Sequence, residues 1–152
     1  MIPLALAMRI SQHTGLKLVN SVFLLNSREG NAMIQRMFFH PEYAGEVPQG
    51  QFLLIDDVFT TGITLMGLKH HIENSGSRVV AASAIGSSKH GMEFEAPNLQ
   101  FRMLKAKFPE IEKYFELELL TKAQVEYLLK FNSLNNFFTK RYYQVQERLM
   151  FS

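Results

Sequence analysis

Two adjacent carboxylates, Asp56 and Asp57, run into a hydroxyl-rich turn, Thr60-Thr61-Gly62-Ile63-Thr64. Their types and spacing suit the binding of a sugar phosphate. Ionised carboxylates are hard, acceptor-only oxygen ligands, so Asp56 and Asp57 can take hydrogen bonds from vicinal hydroxyls or hold Mg²⁺ through water. Thr60, Thr61 and Thr64 supply hydroxyl donors, and Gly62 carries no side chain that would keep a phosphate from the backbone N–H groups. A helix starting there would add its free N–H groups and positive dipole to the anion cradle.

These residues need a strand before them and a helix after them. Phe52-Leu53-Leu54-Ile55 is a continuous apolar run of strand length, as expected where both faces of a parallel strand are covered. Open α/β sheets place ligands at the carboxyl ends of such strands. Beyond the turn, Leu65, Leu68, His71 and Ile72 fall on one helical face, and Asn74-Ser75-Gly76-Ser77 ends the helix. Arg78 to Ile85 then predicts a second buried strand, parallel to the first under the right-handed crossover rule. Gly86-Ser87-Ser88-Lys89-His90-Gly91 follows on the same sheet edge as the two acids. By itself this segment reads as a plain surface turn.

The remaining segments are less specific. Pro3 to His13 predicts an opening helix with Gly15 as its stop, and Leu16 to Leu25 one strand or two short ones. Residues 26–50 turn polar and are punctuated by Pro41, Gly45, Pro48 and Gly50, the mark of a long functional or flexible connection. Met37, Phe38 and Phe39 within it read as packing residues. The pair His70-His71 does not share a helix face, so a metal reading has little support. From Asn98, read as an N-cap, the pattern is helical: Leu99 to Phe108, Ile111 to Leu120, and a helix through Leu129 opened by the capping box Thr121-Lys122-Ala123-Gln124. After a break at Asn132 to Asn136, a last helix from Phe137 to Met150 has a basic face of Lys140, Arg141 and Arg148. Its apolar stripe of Phe138, Tyr142, Val145 and Leu149 suits core or dimer packing.

The run Phe52 to Thr64, with four apolar residues, two acids, Val58-Phe59 and a small-residue loop, resembles the PRPP-binding signature of type I phosphoribosyltransferases. Within that superfamily it looks most like the orotate and competence-associated members. Phe59 departs mildly, standing where an aliphatic is usual. The resemblance implies a Rossmann-like α/β fold with a parallel sheet. It implies that Asp56 and Asp57 contact the ribose hydroxyls and, indirectly, Mg²⁺, that Thr60, Thr61, Gly62, Ile63 and Thr64 hold the 5-phosphate, and that Val58 and Phe59 belong to the same PRPP-binding run. It places the catalytic loop at about 26–50, with Arg28 and Arg36 as the cations for departing pyrophosphate, although both also read as solvated loop charges. Thr60 stands where purine-salvage members carry an aspartate, which argues against a purine acceptor. The implied reaction transfers phosphoribosyl from PRPP to a nitrogenous base, with Ser87, Ser88 and Lys89 as the acceptor-side residues the family's loop would supply. The alternative is a PRPP- or nucleotide-binding regulatory protein that has lost turnover. A strand ending in two aspartates also occurs in receiver domains and phosphatases. The strand and pyrophosphate loop that precede the first helix in that family are missing here, so the resemblance implies an N-terminally truncated or pared-down form.

At 152 residues and a formal net charge of +2, the chain suits one soluble globular protein, divided here into a core over 1–98 and a C-terminal helical extension over 99–152. So small a net charge says nothing about partners, and the lack of an RNA- or DNA-binding motif leaves nucleic acid disfavoured as one. Met1 to Arg9 lacks a basic leader and is too short to span a bilayer, so no membrane partner is expected. The absence of cysteine fits a reducing cytoplasm. A homodimer is expected only by analogy with the family.

Overall fold

The computed structural model describes residues 2–26, 36–87 and 93–139. Helix α1 (Ile2–Thr14) opens the chain, and Gly15 ends it at φ +75° with its N–H on the Ser11 carbonyl at 2.8 Å. Two short strands, β1 (Phe23–Leu24) and β2 (Tyr43–Ala44), pair antiparallel. Strand β3 (Gln51–Phe59), helix α2 (Ile63–Asn74) and strand β4 (Arg78–Ser87) form a βαβ unit with β3 parallel to β4. Helix α3 (Asn98–Lys107), two 3₁₀ turns at Ile111–Lys113 and Leu117–Leu119, helix α4 (Lys122–Leu128) and helix α5 (Leu134–Phe137) follow.

The chain is therefore mixed α/β with a small parallel sheet. The βαβ unit arises where expected, because Phe52 and Leu54 on β3 and Val79, Ala82 and Ala84 on β4 share a core with Leu65, Met66 and Ile72 of α2. The register slips by one residue between Phe52 and Leu53, which leaves Val80 without a partner and exposed. Among the described residues the parallel sheet has two strands, which is short of the Rossmann-like layer expected. The segment Leu16 to Leu25 supplies only β1, outside that sheet, since Phe23, Leu24 and Leu25 are exposed and have no inner face to bury. Asn26 fastens this hairpin by donating to the His40 carbonyl and accepting from Glu42 N–H.

A second core is helical. Leu104, Phe108, Ile111, Val125, Leu128, Leu134 and Phe137 enclose one another, and Met37 inserts into them from the preceding connection. The packing expectation for Met37 and Phe38 thus holds. The helix expected over Ile111 to Leu120 is replaced by the two 3₁₀ turns. Phe115, Leu117 and Leu120 all bury, a spacing that one α-helical face does not offer, and Glu116 is extended between them. Pro97, not Asn98, is the residue before α3. The capping box forms as read: Thr121 accepts from Gln124 N–H at 3.4 Å, and the Gln124 side chain accepts from Thr121 N–H at 2.7 Å. The break read at Asn132 to Asn136 is shorter, because Ser133 caps α5 from Leu134. The reading of a helix to Met150 falls, from residue 140 on, outside the described residues.

Candidate functional site

Asp56 and Asp57 lie in the last turn of sheet at the carboxyl end of β3. The register sets Asp56 beside Ala84, Val58 beside Gly86 and Phe59 beside Ser87, so both strand ends meet on one edge as expected. Ala84 opposite Asp56 is small and leaves that carboxylate uncrowded from the β4 side. Both carboxylates are turned back on their own backbone: Asp56 Oδ1 accepts from Asp57 N–H at 2.9 Å, and Asp57 Oδ1 from Val58 N–H at 2.7 Å. Burial raises the Asp56 pKa above the usual carboxylate value. The Asp57 N–H works against that rise, while a side-chain hydrogen bond with Asp57 and its charge add to it.

Tyr43 completes the neighbourhood of Asp56. Its hydroxyl donates to the Thr64 carbonyl at 3.0 Å, and its pKa is pushed up to about 12, first by burial and then by the charge of Asp56. Nothing in the sequence pointed to Tyr43, which reaches the site from the hairpin, 13 residues before Asp56 in the chain.

The turn itself is mostly interior. Phe59, Thr61 and Ile63 are buried at 1%, 3% and 4% exposure, whereas Val58 is exposed and Thr60 and Thr64 are half-buried. Gly62 has φ +75° and precedes α2, and the Met66 N–H bonds to its carbonyl at 2.8 Å. Its missing side chain makes room for protein: a Cβ there would overlap the Phe94 Cβ and come 2.9 Å from Phe59 Cζ. The Phe59 and Phe94 rings themselves pack at 6.0 Å. The cradle read from the sequence as open to phosphate is lined on this side by two aromatic residues.

Other candidates disperse. Arg36 is tied to the helical unit, where its carbonyl accepts from Gln124 Nε2 at 3.2 Å. Ser87 is exposed at the end of β4. Arg28, Ser88 and Lys89 lie outside the described residues. A cavity of about 90 Å³ opens away from the acids, between residues 37–41, α2 and residues 115–124, with His40, His70, Glu116 and Gln124 among its lining. It is well below the ~300–1,000 Å³ of pockets that enclose a drug-sized ligand. His70 had little support as a metal ligand in the sequence, and no spacing signal joins it or His40 to Glu116.

As to metal, the described residues contain no group of three or more histidine or acidic side chains arranged for one ion. Asp56 and Asp57 alone offer a pair of carboxylates, each with one oxygen already committed to a backbone N–H. Such a pair could bind Mg²⁺ only with water or a ligand filling most of the shell.

The chain is similar to the protein TraN of Escherichia coli, at 30% identity over 95 residues, which is 60% of this chain and 21% of that protein. It thus spans about a fifth of the length of this relative. No family model matches, and no solved structure matches. The phosphoribosyltransferase resemblance is accordingly corrected. The similarity found is to TraN, and it gives no support for PRPP binding or for phosphoribosyl transfer. The Asp-Asp-Val-Phe-Thr-Thr-Gly motif is present, but Phe59 and Gly62 within it serve interior packing here.

Proposed function

We propose that this chain is a module of the kind found within TraN, a conjugation-related protein, and that it serves plasmid transfer rather than nucleotide metabolism. The similarity over 95 residues carries this reading. The interior of the Gly62 turn supports it, because Phe59 and Phe94 use the glycine as a packing surface that joins the βαβ unit to the segment leading into the helical unit. In this reading the βαβ unit is a scaffold. It holds Phe94, whose carbonyl accepts from Lys122 N–H at 2.8 Å, against the first turn of α4.

The test is a chimera. In a donor strain whose plasmid transfer depends on TraN, the segment of TraN that matches this chain is replaced by the corresponding residues of the chain. Transfer should persist at a frequency well above that of a strain lacking TraN. Loss of transfer, with the chimera accumulating to normal levels, would overturn the proposal.

A further inference from the structure

Strand β4 is the longer strand of a two-stranded sheet, ten residues against nine, and one of its edges is unused. Its inner edge pairs with β3, from Arg78 beside Gln51 to Ser87 beside Phe59. On the outer edge Glu73 Oε1 accepts from Val79 N–H at 3.4 Å. Beyond that point, among the described residues, no hydrogen bond reaches the backbone of residues 80–87 except those of the ladder with β3. The outward N–H and C=O groups of this edge are therefore open to another strand.

That edge lacks the features that keep strands from pairing. Native edges are protected by charged side chains, proline, bulges or a covering element. From Val79 to Ser87 the sequence has neither charge nor proline. Val80 and Ile85 stand 52% and 65% exposed, and α1 packs against β3. The bulge at Val80 disturbs only the amino end, because residues 81–87 keep regular register with 53–59. The other strand of the sheet, β3, ends in two charges, Asp56 and Asp57, so β4 presents the unprotected edge.

The strand is complementary to a second copy of itself. Ala82 and Ala84 share the core with α2, so Ala81, Ser83 and Ile85 project to the other face. When two β4 strands run antiparallel with Ser83 opposite Ser83, Ala82 meets Ala84 on the α2 face and Ala81 meets Ile85 on the other. Core-facing residues thus lie across from core-facing ones. Charge selects the direction. Arg78 stands at the amino end of β4, and Asp56 and Asp57 at the carboxyl end of the sheet. Antiparallel pairing turns each arginine toward the acidic end of the other copy, whereas parallel pairing would set the two arginines side by side.

We propose that two copies of this chain associate through β4, antiparallel about a two-fold axis at Ser83, to form a four-stranded sheet in the order β3-β4-β4-β3. The pairing is isologous and closes on itself, so it yields a dimer and no longer assembly. It covers the exposed backbone edge of β4 and places both copies of α2 on one face of the joined sheet. This inference rests on the sheet edge and stands apart from the similarity to TraN.

The test uses the full chain. Its mass in sedimentation should rise with concentration toward twice that of one chain. Ser83→Lys sets like charges against each other at the axis and should weaken association by about tenfold or more, with thermal melting verifying that the variant is folded. The chain has no cysteine, so a single introduced thiol reports one position. Residues opposite one another in an antiparallel pair have Cβ atoms close enough for a disulfide. Under mild oxidation Ser83→Cys should therefore form a covalent dimer much faster than Asn74→Cys, which lies exposed at the end of α2. The proposal is overturned by a wild-type chain that stays monomeric up to about 1 mM, by a folded Ser83→Lys protein that dimerises as the wild type does, or by equal cross-linking at the two positions. The cysteine comparison decides the matter by itself where Ser83→Lys does not fold.

Discussion

Phe94 packs onto the bare Cα of Gly62, at the point where the turn after β3 enters α2. Gly62 is also held at φ +75°, a backbone conformation that side-chain-bearing residues resist. Gly62→Ala therefore meets two penalties, backbone strain and overlap with Phe94 and Phe59. The expected loss is about 2–4 kcal/mol of unfolding free energy, measured by urea denaturation. If Gly62 served only to admit a phosphate, alanine would leave stability nearly unchanged, and such a result would remove the packing role assigned to it.

Beside the packing of Met37, one polar side chain links the connection at residues 36–38 to α4. Gln124 Oε1 accepts from Thr121 N–H, and Gln124 Nε2 donates to the Arg36 carbonyl. Gln124 is buried at 3% exposure and Thr121 at 0%. Thr121→Ala removes the cap and should cost about 1–2 kcal/mol. Gln124→Ala strips partners from two backbone groups and should cost more, about 2–4 kcal/mol. Chemical denaturation of the two variants side by side checks the order. A Gln124→Ala protein as stable as Thr121→Ala would mean that the link to Arg36 contributes nothing.

What was legible in the sequence was local. The apolar run Phe52 to Ile55, the glycine stops at Gly15 and Gly76, and the Thr121 capping box each specify structure within a few residues, and each appears where expected. What was not legible depends on distant contacts. The filling of the Gly62 turn comes from Phe94, 32 residues further on, so a motif read by itself looked open. The segment from Ile111 to Leu120 has enough apolar residues for a helix, yet burial of Phe115, Leu117 and Leu120 against α3 and α5 favours 3₁₀ turns. The two acids were located correctly on a sheet edge, whereas their partner Tyr43 came from a hairpin with no pattern of its own.

The raised pKa of Asp56 makes stability depend on pH in a definite direction. Its carboxyl binds a proton more tightly in the folded chain than in the unfolded one, chiefly because burial disfavours the charge. Between the unfolded value of about 4 and the raised folded value, the folded state holds more protons. Stability from this group is therefore greatest at the acid side of that window, falls as pH rises through it, and stays reduced above it. Asp56→Asn keeps an Oδ1 to accept from Asp57 N–H and removes the charge. It should melt at a higher temperature than the wild type at neutral pH, with the gap closing as pH is lowered toward about 4. Ultraviolet titration adds a second readout, since removing the charge of Asp56 should lower the Tyr43 pKa from about 12 while burial still holds it above 10.0. A gap in melting temperature that does not change with pH, or an Asp56→Asn protein that is less stable at neutral pH, would show that the carboxylate is stabilised by its surroundings and would reverse the sign argued from its burial.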